Sequence, residues 1–263
     1  MGTLEVVDPR YEALLDRATR VLSADPRVVD VRVSGSIASG DADEWSDLDL
    51  QIVATPDSYQ EFVADWPSWL AAITPTVFAR TPIAPFILNT VTDDGLTFDL
   101  AIHDRPLSPF TPSTYVVGML THQGFQDLGL ALEYAVAEQL RGLVGPFISL
   151  LQRGEHLRHL TGIAHIVGLL TTVFTAELGA PPPGKRWNRT FTAEQLDVVA
   201  ALPPLRATYD GIAGFGLGLA EVLVTRARPL YPRYELEWPS ALAAVTAARL
   251  QDTLGVDTSA WLS

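Results

Sequence analysis

Cysteine is absent from the 263-residue sequence, and lysine occurs once, at Lys185. Without a thiol there is no disulfide framework, no thiolate metal site and no cysteine nucleophile. Basic charge is scarce: 18 Lys and Arg stand against 31 Asp and Glu, a net charge of −13. A protein that grips a nucleic-acid polymer draws most of its affinity from cations on phosphates. This balance therefore disfavours a polymeric nucleic-acid substrate, and an acidic surface steers a cationic partner instead. Long apolar runs are lacking as well. The longest, 161–176, is broken by Gly162, His165, Gly168 and several threonines, too short and too polar to be read as a membrane span. The opening residues show neither the basic nor the apolar segment of a secretion signal. The expectation is a soluble, cytoplasmic protein that meets no membrane. No period of 20–50 residues recurs, which excludes solenoids and propellers.

What is present is an ordinary globular mixture, 48% apolar and 19% charged, in a chain long enough for one large or two modest domains. Its character changes near residue 105. Before that point, short β-branched runs alternate with turn signals. The spacing predicts a helix over 8–24, a strand over 28–33 with Val29, Val31 and Val33 on its buried face, and a short helical segment over 37–40. A strand over 48–53 and a helix from 58 to about 65 follow, ended by Trp66-Pro67. Further strands are expected at 77–80, 86–92 and 96–102, the last two forming a hairpin about Asp93-Asp94-Gly95. After a proline-rich linker at 105–112, helical patterns run over 126–152, 155–178, 192–201, 205–226 and 239–254. Gly145-Pro146 should kink the first of these. The predicted class is α+β: a mixed sheet with helices over residues 1–105, then an all-α helical bundle over 106–263.

The chemistry concentrates in two stretches. Asp47 and Asp49 stand two apart at the head of a strand whose other face carries Leu48, Leu50 and Ile52. The strand's period of two puts both carboxylates on one side, about 7 Å apart, where their repulsion calls for a cation. Magnesium takes such hard oxygen ligands, commonly together with substrate phosphates. Upstream, Gly35-Ser36 sits where a strand passes into a helix, so that backbone N–H groups and a hydroxyl could seat a phosphate. Asp99 lies within the otherwise apolar strand 96–102, where a lone carboxylate is costly unless paired or metal-bound.

Gly35-Ser36, a spacer of about ten residues, Asp47-Leu48-Asp49 and then Asp99 on a later strand together resemble the nucleotidyltransferase superfamily typified by DNA polymerase β. The resemblance covers about residues 28–103. It implies that Gly35 and Ser36 hold a nucleotide's terminal phosphates and that Asp47 and Asp49 hold two magnesium ions. Asp99 completes the second metal site, serves as general base, or both. A small domain of this kind followed by a helical bundle is similar to the antibiotic nucleotidyltransferases, particularly those acting on aminoglycosides. In these the helical domain often supplies a lysine to the triphosphate, and Lys185, flanked by Arg186 and Arg189 after the stiff loop 180–184, matches that role. The implied activity moves AMP from ATP to a hydroxyl of a small, cationic acceptor and releases pyrophosphate, in a monomer or homodimer. Two alternatives are an antitoxin-type enzyme that places AMP on a partner protein and a nucleotide-binding protein without turnover. Glu133, Glu138 and Glu177 are candidate acceptor contacts. His103, at the end of its strand, lies too far along for the same metal, and His156, His159 and His165 read as structural.

Overall fold

The structure, a computed structural model, describes residues 8–81, 87–104, 127–180 and 186–262. The proline-rich linker at 105–112 and Lys185 lie outside the described residues. The chain divides into two compact units, Met1–Tyr115 and Val116–Ser263.

In the first unit, helix α1 (Pro9–Ala24) opens on Asp8, whose side chain accepts from Arg10 N, with proline in the first turn. Its apolar stripe of Tyr11, Leu14, Ala18 and Leu22 is buried. Strand β1 (Val28–Val33), helix α2 (Gly35–Ser39), strand β2 (Leu48–Ala54) and helix α3 (Tyr59–Ala64) follow. A further helix, α4 (Trp66–Ile73), begins where the sequence pattern placed only a break. Pro67 occupies a first-turn position, where its missing N–H costs nothing. Strands β3 (Thr76–Arg80), β4 (Ile87–Thr92) and β5 (Thr97–His103) complete one five-stranded sheet in the order β1-β2-β5-β4-β3. Strands β2 and β5 run parallel at its centre, and the other pairs are antiparallel.

Alternation along the two central strands divides the sheet into faces. Leu48, Leu50 and Ile52 of β2 and Phe98, Leu100 and Ile102 of β5 are buried in the core with α1, α3 and α4. Asp49 and Asp99 lie on the opposite, partly open face. Strand β1 departs from simple alternation. A bulge between Val28 and Asp30 shifts the register, so Val28, Val31 and Val33 pack on the core while Val29 is 62% exposed. This corrects the expectation that Val29 is buried.

The second unit is helical. Helix α5 (Leu128–Gly142), capped by Asp127, runs into one π-helical turn at Leu143–Phe147 and then α6 (Ile148–Gln152). The expected kink at Pro146 takes this form, because proline cannot donate the i→i−4 bond. Helix α7 (His156–Leu178) packs against α5 and α10 (Tyr209–Ala227). Short helices α8 (Trp187–Thr190), α9 (Ala193–Ala200) and α11 (Leu230–Arg233), then α12 (Ser240–Leu254) and α13 (Ser259–Leu262), complete the unit. With 23 residues, α7 is longer than the apolar run that marks it and, among the described residues, the only helix long and apolar enough to cross a membrane. Its stretch from Leu169 to Ala176 is buried within the unit, as in a core helix.

Candidate active site

The site is assembled at one end of the parallel pair β2/β5. Their register sets Asp49 directly opposite Asp99, and Asp47 immediately precedes β2. Oxygens of Asp47, Asp49 and Asp99 lie within 4.8 Å of one another, the only such group of potential metal ligands among the described residues. Three carboxylates at that separation repel one another strongly. Burial, then the neighbouring charges of Asp47 and Asp99, push the Asp49 carboxyl up to about 7. Among the described residues no basic side chain pairs with Asp47 or Asp49. An all-oxygen donor set with excess negative charge fits a hard divalent cation such as magnesium.

Two backbone devices hold the triad. Ser34 N donates to Asp49 O at 2.8 Å, tying the end of β1 to the middle of the site. Gly35 then enters α2 with φ +62°, and a Cβ placed there would lie 2.0 Å from Asp49 Oδ2. Only glycine admits both this conformation and this approach. The hydroxyl of Ser36 has no hydrogen-bond partner among the described residues.

The loop before Asp47 is also organised. The Asp43 carboxylate accepts from Trp45 N and Ser46 Oγ, each at 3.0 Å, and Ser46 Oγ accepts from Asp43 N at 3.0 Å. Asp43 thereby forms an Asx-type turn, an Asp two residues before a backbone donor.

A further polar residue, unmarked in the sequence, meets the triad from β4. Asn89 of β4 lies opposite Asp99 in the antiparallel pairing, and its Nδ2 donates to Asp99 Oδ2 at 2.6 Å. His103, four residues beyond Asp99 on the same strand, is outside the triad, and burial holds its imidazole below the ordinary value against the opposing effect of Asp104.

In the helical unit, Arg186 is exposed and caps α8, next to a cleft of about 490 Å³ lined by Arg186, Trp187, Asn188 and Arg189. Trp187 leans on Phe191 with ring centroids 6.1 Å apart. Glu177 is held by Arg226, at 2.8 and 3.0 Å, and by Gln195 at 2.6 Å. That network joins α7, α9 and α10 and leaves Glu177 a structural residue. Glu133 is exposed, and a buried oxygen of Glu138 has no hydrogen-bond partner among the described residues.

A glycine-backed acid triad thus stands on the partly open face of a mixed sheet, and residues 15–102 match the family model of the nucleotidyltransferase domain. Residues 15–102 are a nucleotidyltransferase domain. The match takes in β2 and β5 as far as Ile102, and thus all three carboxylates. Among curated proteins, none matches this sequence. Among solved structures, this chain is similar to an aminoglycoside 6-adenyltransferase from Bacillus subtilis at 12% identity over 90% of this chain and 95% of that one. The superposition is loose, with a TM-score of 0.31.

Proposed function

We propose that this nucleotidyltransferase moves AMP from ATP to a hydroxyl of a small, cationic acceptor of the aminoglycoside type. The observation that carries the reading is the triad of Asp47, Asp49 and Asp99 against Gly35. The acceptor class rests on the net charge of −13 and on the resemblance in layout to antibiotic nucleotidyltransferases. In this reaction a bond forms between the acceptor oxygen and the α-phosphorus, the α–β phosphoanhydride breaks, and pyrophosphate leaves.

Each residue has a proposed part. Asp47 and Asp49 hold magnesium, and Asp99 shares in that site and takes the proton of the acceptor hydroxyl. Bound magnesium, as two ions, would neutralise the triphosphate and lower the pKa of that hydroxyl. The free backbone N–H groups at Gly35 and the Ser36 hydroxyl receive phosphate oxygens, and Lys185 with Arg186 neutralises the triphosphate's charge. Residues 1–105 serve as the catalytic domain and 106–263 as the helical domain. The enzyme works in the cytoplasm as a monomer or homodimer.

The test is pyrophosphate release from magnesium-ATP, with and without pooled aminoglycosides and lincosamides. Acceptor-dependent release is expected, with Asp49→Asn reducing it on the order of 100-fold or more, as for loss of a group aimed at developing charge. Release that ignores every acceptor, or that survives Asp49→Asn, overturns the reading.

A further inference from the structure

Strand register draws a polar row across the sheet. Asp49 on β2 faces Asp99 on β5, Asp99 faces Asn89 on β4, and Asn89 faces Arg80 on β3. Register partners project from the same face, so the row begins at the acid triad and ends on a basic residue. Asn89 is only 9% exposed, at a strand position where an apolar side chain would be the ordinary choice. Its amide can donate through nitrogen and accept through oxygen. With a carboxylate on one neighbouring strand and an arginine on the other, the donor end belongs toward Asp99. The 2.6 Å bond from Nδ2 to Asp99 Oδ2 has that orientation.

We propose that Asn89 is a positioning residue for the nucleotidyl-transfer site: its amide, bonded to Oδ2, fixes the rotamer in which Asp99 meets the metal and the acceptor. This rests on the metal-dependent reading given above. A free carboxylate rotates about its last torsion and presents either oxygen, or both, to a cation. Held by a donor of defined direction, it presents one ligand atom in one place. Partners behind a metal-binding carboxylate act in this way, and removing them weakens metal affinity or activity about 10–100-fold.

The experiment uses the full chain, freed of metal and titrated with Mn²⁺ by electron paramagnetic resonance, in wild type, Asn89→Leu, Asn89→Ser and Asp49→Asn. Asn89→Leu keeps most of the volume and loses the donor, whereas Asn89→Ser loses volume and keeps a donor. Positioning predicts that the leucine variant weakens Mn²⁺ binding about 10–100-fold, that serine recovers most of it, and that melting temperature does not follow the same order. A packing role predicts the reverse order, with serine the worse. Wild-type affinity in Asn89→Leu, or equal losses in both variants, overturns the proposal. Asn89→Ala replaces the leucine variant if that one does not fold. Equal Mn²⁺ binding by wild type and Asp49→Asn overturns the metal reading itself, and the two failures are thereby distinct.

Discussion

Gly35 shows how one hydrogen atom in place of a methyl group shapes the site. At φ +62° and with Asp49 Oδ2 2.0 Å from where a Cβ would be, Gly35→Ala must move either α2 or the Asp49 carboxylate. A displacement of about 1 Å in a catalytic group costs about 100-fold in rate. Gly35→Ala is therefore expected to lose about that much acceptor-dependent pyrophosphate release and, strained at this φ, to melt below wild type as well. Full activity in the alanine variant would mean that the close approach serves packing alone. Gly35, Asp47 and Asp49 were legible in the sequence because their spacing is local: a strand's period alone decides that two aspartates two apart share a face. Asn89 was not legible. Its meaning depends on which residue of another strand it meets, and a buried asparagine carries no sign of that in its own neighbourhood. Asp43 lies between these cases, since its turn was readable but its service to Asp47 was not.

At the scale of elements, α10 contains four glycines, at positions 211, 214, 216 and 218, and by propensity alone each should weaken the helix by about 1 kcal/mol relative to alanine. The packing supplies a reason at Gly216. A Cβ there would lie 2.4 Å from Phe147 Cε2 in the π-helical turn. The Phe147 ring is 4% exposed and rests edge-on against His159 with centroids 5.1 Å apart, so it has little room to yield. Overpacking of this kind costs about 1–3 kcal/mol, more than the propensity gain. Gly216→Ala is expected to lower the stability of the chain by about 1 kcal/mol, seen as a drop of about 2–4 °C in Tm. A rise in Tm would show that the turn adapts. The helices α5, α7, α10 and α12 were legible because each is long and periodic. Helices α4, α8, α11 and α13 span at most 8 residues, too few turns for a period to declare itself. In β1 the bulge, a product of pairing with β2, overrode the alternation that the sequence displayed.

For the whole molecule, the acid triad links stability to pH and to magnesium. The Asp49 carboxyl titrates at about 7 in the folded chain, against about 3.9 for an unfolded one. Between those values the unfolded chain sheds the proton while the folded chain keeps it. Stability of the metal-free protein therefore falls as pH rises from about 4 to about 7 and stays lowered above that. A cation that binds the ionised carboxylates reverses the loss, and protons compete with it at lower pH. Millimolar magnesium is thus expected to raise Tm at about pH 8 and to have little effect at about pH 5. Asp49→Asn should raise the metal-free Tm at about pH 8, with the gain closing near pH 4. A magnesium effect independent of pH would remove the triad as its source. The sequence by itself determined the α+β class, the helical second half and the identity of the three carboxylates, because strand alternation, helix periodicity and motif spacing act within a few residues. Only the tertiary structure decided that Asp99 stands opposite Asp49, that Asn89 holds Asp99, that Glu177 is spent on Arg226, and that three like charges meet within 4.8 Å. Those facts depend on which distant segments pair, and pairing is settled by the burial of the whole core rather than by any one stretch of chain.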